Sequence, residues 1–266
     1  MHTLRTNLIR VLGSSDLQLP ANYLVLDLET TGLEAGSSYI WNIGLFSVLD
    51  GKPQHASNCG ENLYLAYAPE IIATAIFEIN RRRANILGIS EANVDLETRV
   101  CDAAYYKVEQ QFVNEVTAKG KDPKQILQYV FDVIELYTGN GWPLVGQNFT
   151  SFDLQHLAYT AARHGLKFNV PYERLIDTGL LIKSAFLGRN FACNENCQEF
   201  YTRIKEERAK GVFYGLEKFC IPHWRLDQKY FVDVNQIHGA GMDTWITSLV
   251  LKELINDVQQ FERSQK

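Results

Sequence analysis

Two acidic residues stand two positions apart at the end of an apolar run, in the segment YLVLDLETTGL of residues 23–33. Residues at this spacing on a β-strand project to the same face, so Asp27 and Glu29 bring their carboxylates together at the end of the strand. Two neighbouring anions repel each other unless a positive charge lies between them. A hard divalent cation with oxygen ligands meets that need, and the carboxyl edge of an open α/β sheet is where ligands bind.

Two further acids stand near the starts of helical segments. Asp153 precedes Leu157 by four residues in SFDLQHLAYTAARHG, and Asp243 precedes Ile246 by three in GAGMDTWITSLVLKEL. Both acids therefore lie on the apolar helix face that packs on the sheet. His238 precedes Asp243 by five residues and is free to reach the same place. Taken singly, these acids suit a solvated turn or a helix N-terminus. Three elements that each deliver an inward acid favour a metal centre.

The elements that must position these acids follow an α/β pattern. Residues 22–28, IWNIGLFSVLDGKP and ENLYLAYAP are predicted to form an antiparallel meander of three strands. The periodicity is helical from Pro69 to about Tyr137, broken at two points, and WPLVGQN and ERLIDTGLL are then predicted as strands that lead into helices. A long amphipathic helix begins near GAGMD. We therefore predict an α/β fold with a mixed sheet flanked by helices.

The bulk composition is that of an ordinary soluble globular protein, with 266 residues, 46% hydrophobic and 21% charged. The net charge of −5 argues against indiscriminate polyanion binding. Residues 1–266 are predicted to form one domain, with 1–21 as an N-terminal extension and 188–211 as an insertion with one charged helix. No apolar run is long enough to span a membrane. Residues 1–15 favour a first helix over an organellar transit segment, and the five cysteines favour reduced thiols in a cytoplasmic protein.

Three segments, DLETTGL, GQNFTSFD and HGAGMD, resemble in order and internal spacing the three motifs of the DEDDh family of proofreading-type 3′→5′ exonucleases. The HxAxxD form of the third motif is that of the histidine subclass. RLIDTGLL and YGLEKFCI are similar to the family's connecting elements, so the resemblance extends from Asn22 to Leu254. It implies an RNase H-like fold with a five-stranded mixed sheet and here a helical insertion. Gln147 departs from the histidine usual at its position, and Asn42 stands before IG, where the family usually has an acid or an amide.

The resemblance implies a metal-dependent exonuclease that releases nucleoside 5′-monophosphates from single-stranded or frayed 3′ ends of DNA or RNA. It implies two Mg²⁺ or Mn²⁺ ions, with His238 as the general base. It assigns the ions to four acids: Asp27, Glu29, Asp153 and Asp243. It also suggests contacts with the terminal nucleotide for Thr30, Thr31, Leu33, Asn148 and Phe149. Phe149 is a candidate for base stacking, whereas core packing is favoured for Phe152.

Parts of the sequence are compatible with other sites and functions. Cys193, Cys197, Cys220 and His223 have spacings compatible with structural zinc, but Cys220 falls in a segment with core-like periodicity, and a buried free cysteine is favoured. The basic runs at residues 81–83 and 203–210 are favoured as solvated faces over nucleic-acid contacts. Two alternative functions stay open: a catalytically silent nucleic-acid-binding protein, and a proofreading subunit with a polymerase or repair partner. The motifs do not fix the choice between DNA and RNA.

Overall fold

A computed structural model describes residues 1–55, 59–75, 114–208, 214–234 and 239–265. Its mixed sheet has six strands: β1 (Tyr23–Thr30), β2 (Ile40–Leu49), β3 (Lys52–Pro53), β4 (Glu61–Tyr64), β5 (Leu144–Gly146) and β6 (Leu175–Asp177). The order is β3-β2-β1-β5-β6, and β4 also pairs with β2. β5 and β6 run parallel to β1, whereas β2 is antiparallel to it. Because β3 and β4 share one edge of β2, the sheet is five strands wide, which confirms the predicted RNase H-like α/β fold.

Six helices surround the sheet in the described part of the chain: α1 (His2–Leu12), α2 (Pro123–Gly139), α3 (Asp153–Arg163), α4 (Thr178–Leu187), α5 (Cys197–Glu206) and α6 (Ala240–Ser264). Shorter helical segments occur at residues 69–75 and 114–119, at Tyr172–Arg174, and at Leu216–Cys220, Ile221–Trp224 and Leu226–Lys229. The helical region predicted at residues 69–137 is thus described at its two ends, and residues 76–113 lie outside the described part. α5 is the charged helix predicted within residues 188–211.

Local sequence explains where several of these elements begin and turn. Asp122 accepts a hydrogen bond from the Gln125 backbone N–H at 2.9 Å, and Pro123 occupies the first turn of α2, where its missing N–H costs nothing. Asn196 and Glu199 form a reciprocal capping box at the start of α5. Asp50 and Gly51 both have positive φ, at 50° and 72°, which is the geometry of a tight hairpin between β2 and β3.

The core is formed where α6 lies along β1 and β2. The stripe predicted for this helix, Ile246, Val250, Leu254 and Val258, is buried throughout. α1 packs on α4 and α6, and its Asn7 is fully buried, donating to Ser184 Oγ and to the Arg189 carbonyl at 2.9 Å each. The segment predicted as an N-terminal extension therefore contributes to the same packing. None of the helices in the described ranges is long and apolar enough to cross a bilayer.

Candidate metal centre

The carboxyl end of β1 carries the first two acids of the centre. Asp27 lies opposite Gly44 of β2, and Glu29 lies opposite Asn42, so both acids project to one face of the sheet, as the alternation of the strand predicted. Both side chains are partly buried. Gly44 is required here for space, because a Cβ at that position would lie 2.2 Å from the Ala240 carbonyl oxygen. The missing side chain lets the start of α6 reach the strand that carries the acids.

Asp243 completes a cluster of three carboxylates. It lies in the first turn of α6 and is buried, and one oxygen from each of Asp27, Glu29 and Asp243 lies within 4.8 Å of the others. In the described parts of the chain, this is the one group of three or more side chains able to hold a metal ion. Cys193, Cys197, Cys220 and His223 accordingly form no such group there.

Asp153 lies beside this cluster, in the first turn of α3. Its side chain is only 3% exposed, and its Oδ1 is buried with no hydrogen-bond partner. A buried carboxylate oxygen without a partner is costly and therefore calls for a ligand such as a cation or water. The negative charge of Asp153 also raises the pKa of both Asp27 and Glu29, which places it within electrostatic reach of the cluster. The fourth predicted ligand is thus close to the other three.

Burial and mutual repulsion disfavour the charged forms of these acids. Burial is the largest cause of the raised pKa of Asp27, followed by the charges of Asp243, Asp153 and Glu29. Burial and then the charges of Asp243 and Asp153 likewise raise the pKa of Glu29. For Asp153, burial raises the pKa most and the charge of Asp177 raises it further, while backbone N–H groups, including that of Leu28, offset the rise in part. A divalent cation would reverse this balance, because it favours the ionised forms.

The start of α6 is fixed by amide side chains from the sheet, a feature that the sequence reading did not predict. Asn42 Oδ1 accepts a hydrogen bond from the Ala240 N–H at 3.2 Å, and Asn62 Oδ1 accepts one from the Gly241 N–H at 3.0 Å. The Gly60 N–H donates to the Gly241 carbonyl at 2.7 Å. The only sequence signal was the position of Asn42 just before IG.

The end of β1 and the loop after it, here called the rim, carry three of the predicted substrate contacts. Thr31 is buried, and its Oγ1 accepts a hydrogen bond from the Tyr39 N–H at 3.0 Å, while Thr30 Oγ1 donates to the Gly32 carbonyl at 2.8 Å. Leu33 is 59% exposed and offers apolar surface to solvent. Arg163 of α3 donates to two carbonyls of the same loop, at Gly36 and Ser38, and so holds the loop against the helix that carries Asp153.

Asn148 and Phe149 follow β5, and the structure corrects the role predicted for Phe149. Its ring is 1% exposed, because the missing side chain of Gly146 leaves space that the ring fills; a Cβ there would lie 2.6 Å from Phe149 Cβ. The ring belongs to the core and has no free face for a base. Asn148 adopts a positive φ of 57°, and its backbone N–H donates to Asp177 at 3.0 Å. Phe152 is half-buried and packs on the ring of His156.

His238 lies outside the described residues, and its role as a general base stays a prediction from sequence. The described chain resumes at Gly239, the residue that precedes α6.

Gln147, the position that departs from the family pattern, donates from Nε2 to the Tyr214 carbonyl, and its Oε1 accepts from Thr178. This side chain therefore links the end of β5 to neighbouring elements.

No model of a known protein family matches the sequence, and no curated protein matches it at a significant level. Among solved structures, the chain is similar to E. coli exonuclease I in complex with a dT13 oligonucleotide, at 16% identity and a TM-score of 0.49, covering 92% of this chain and 43% of that one. It is also similar to E. coli exonuclease I with a dA16 oligonucleotide, at 15% identity and 0.46, covering 90% and 43%. The chain thus spans less than half the length of these proteins. At such identities the likeness concerns the fold alone.

Proposed function

We propose that this protein is a metal-dependent 3′→5′ exonuclease that acts on single-stranded or frayed ends of DNA or RNA. The observation that carries the proposal is the convergence of Asp27, Glu29 and Asp243, whose oxygens lie within 4.8 Å of one another at the carboxyl end of β1. Their order along the chain, with Asp153 between Glu29 and Asp243, is that of the family motifs.

The donor set fits a hard divalent cation. All the converging groups are carboxylates, which are ligands that Mg²⁺ and Mn²⁺ prefer. The unpartnered Oδ1 of Asp153 is a further donor beside them. Asp27, Glu29 and Asp243 would hold one ion, and Asp27 with Asp153 would hold the second. When bound, such ions neutralise phosphate charge and stabilise both the attacking and the leaving oxygen of an in-line displacement.

The chain's own residues would supply orientation and proton transfer. The protonated acids must release their protons before they can bind cations, so cleavage should require a pH high enough to ionise Asp27, Glu29 and Asp153 despite their raised pKa values. His238, in its neutral form, would take the proton of the attacking water. Leu33, exposed at the rim, would support the terminal base through an apolar contact, and the backbone at Thr30 and Thr31 would fix the terminal sugar.

The finer parts of the proposal concern substrate and setting. We propose nucleoside 5′-monophosphates as products, a cytoplasmic location and, as one biological role, work beside a polymerase or a repair protein. A catalytically silent nucleic-acid-binding protein is the second candidate, since the same fold and rim could hold a 3′ end without cleaving it. Binding of an oligonucleotide without any shortening in Mg²⁺ or Mn²⁺ would favour that candidate.

The test is degradation of 5′-labelled single-stranded DNA and RNA of equal sequence, with Mg²⁺, Mn²⁺ or EDTA. We expect a ladder shortened from the 3′ end that requires metal and is lost in Asp27→Ala. Asp132→Ala, which removes an exposed acid of α2, is the matched control and should cleave as the wild type does. A wild type that leaves both oligonucleotides intact, or equal cleavage by Asp27→Ala, would contradict the proposal.

A further inference from the structure

The first turn of α6 carries Asp243 but has no side-chain cap of its own, since Gly239 stands at its N-cap position. We propose that Asn42 of β2 and Asn62 of β4 act as positioning residues of the metal centre. Their amides hold the first turn of α6 and thereby set the place of Asp243 against Asp27 and Glu29. This inference rests on the proposed function, because it assigns a purpose to the same site.

Asn42 joins three elements from a buried position. It is 1% exposed, accepts a hydrogen bond from the Ala240 N–H at 3.2 Å through Oδ1, and donates to the Leu63 carbonyl at 3.2 Å through Nδ2. The four N–H groups at a helix start have no partner within the helix, so an acceptor from another element takes the place of a cap. Asn42 thus ties α6 to β2 and β4 with one side chain.

Asn62 makes the second contact from a more exposed position. Its Oδ1 accepts from the Gly241 N–H at 3.0 Å, and the neighbouring Gly60 N–H donates to the Gly241 carbonyl at 2.7 Å. The fit is close, because a Cβ on Gly241 would lie 2.4 Å from Asn62 Nδ2. Two consecutive N–H groups of α6 are therefore held from two adjacent strands.

Asn42 and Asn62 together form a clamp on the start of α6, and the register of the sheet connects this clamp to the acids. Asn42 lies directly opposite Glu29 on β2, and its partner Ala240 lies three residues before Asp243, in the same helical turn. A movement of that turn away from β2 would therefore carry Asp243 away from Glu29 and Asp27. Without the amides, we expect the three oxygens to lose their separation of 4.8 Å or less, and with it affinity for a shared ion.

An amide suits position 42 better than an acid because of the charges around it. Asp27, Glu29, Asp153 and Asp243 already repel one another, and a further carboxylate opposite Glu29 would add to that repulsion. An asparagine supplies the same acceptor for Ala240 without a charge and also donates to Leu63. The residue type therefore agrees with a positioning role rather than with a fifth ligand.

The test is calorimetric Mn²⁺ binding without nucleic acid, for the full chain and five variants: Asn42→Ala, Asn62→Ala, Asn62→Asp, Asp27→Ala and Asn7→Ala. We expect Asn42→Ala to weaken Mn²⁺ binding by about 10-fold or more, as happens when a residue that orients a metal ligand is lost. Asn62→Ala should weaken it less because Asn62 is exposed. Asn62→Asp should bind more tightly than Asn62→Ala, since its carboxylate accepts the same N–H at the positive end of the helix.

Asn7→Ala is the matched control, because it removes a fully buried amide that joins α1 to α4, away from the centre. It should lower the thermal stability and leave Mn²⁺ affinity unchanged. Wild-type Mn²⁺ affinity in both Asn42→Ala and Asn62→Ala would overturn this inference, as would an equal loss of Mn²⁺ affinity in Asn7→Ala. Either result would leave the proposed metal centre standing. If Asn42→Ala does not fold, equal affinity of Asn62→Ala and Asn62→Asp overturns it. A wild type that binds no Mn²⁺, or binds no better than Asp27→Ala, would instead overturn the proposed metal centre.

Discussion

Asp153 and Asp177 are both buried carboxylates at the carboxyl edge of the sheet, yet their surroundings differ. Asp177 is fully buried at the end of β6 and accepts hydrogen bonds from the backbone N–H groups of Asn148, Thr150 and Leu180 and from the Thr150 hydroxyl, at 2.8–3.0 Å. Asp153 has a buried Oδ1 without a partner and lies near two further acids. The protein satisfies both oxygens of Asp177, whereas one oxygen of Asp153 has no partner.

This difference separates a structural acid from a candidate ligand. Burial raises the pKa of both groups, so a shifted pKa alone would not distinguish them. The hydrogen bonds do, because those to Asp177 stabilise its charge and fix the turn that leads into α3. An acid that faces other acids gains comparable stabilisation only from a cation. Asp177 is not among the four acids to which the resemblance assigns the ions, and its contacts supply a physical reason.

Removing Asp153 should have a large effect on activity and little on folding. We expect Asp153→Asn to lower the rate of metal-dependent cleavage by more than about 100-fold. This loss exceeds the one usually seen when a residue that hydrogen-bonds to a metal ligand is removed. Its metal-free stability should equal or exceed that of the wild type, because an unsatisfied buried charge is lost. Initial rates with 5′-labelled DNA and urea unfolding in EDTA measure the two effects. A large loss of metal-free stability would mean that Asp153 is a structural acid like Asp177.

Changing Asp177 should produce the opposite pattern. Asp177→Asn replaces one acceptor oxygen with an NH₂ group that faces N–H donors, so we expect a loss of about 2–3 kcal/mol in the free energy of unfolding. Mn²⁺ affinity of the folded variant should stay close to that of the wild type, since Asp177 is not part of the cluster. Urea unfolding and calorimetry on the same preparation check both. A loss of Mn²⁺ binding with intact stability would reverse the assignment of the two acids.

The pH dependence of metal-free stability should show a smaller effect. The pKa values of Asp27, Glu29 and Asp153 are raised in the folded state above unfolded values of about 4, so folding binds protons. Their contribution to stability is fully present below about pH 4 and is lost as the pH rises through the raised values. In EDTA, the wild type should therefore lose stability relative to Asp27→Asn as the pH rises, and Mn²⁺ should restore it. Parallel pH curves would contradict this.

The placement of the four acids could be predicted from the sequence because it depends on short-range periodicity. Asp27 and Glu29 share a face by the alternation of one strand, and Asp153 and Asp243 face inward by the period of their own helices. The clamp could not be predicted in this way, because the contact of Asn42 with Ala240 joins residues 198 positions apart. Phe149 was wrongly predicted to stack on a base, since nearness in sequence says nothing of the space that Gly146 leaves for its ring.

The fold shows the same division between local and long-range information. Strand alternation and helix period predicted the sheet and the helices that flank it. The separate short strand β3 at the end of IWNIGLFSVLDGKP, and the π-helical turn at Leu216–Cys220, depend on packing. That turn lies within YGLEKFCI, and Cys220, for which the core-like periodicity favoured burial, is buried there and donates to the Tyr214 carbonyl.

The most direct test of the metal centre is the anomalous diffraction of crystals grown with Mn²⁺. We predict an anomalous peak within bonding distance of Asp27, Glu29 and Asp243, and no peak at Asp177. Crystals in which a lysine or arginine side chain fills the space among the three carboxylates, with no Mn²⁺ bound, would show that the repulsion is relieved by the protein itself and would contradict the account.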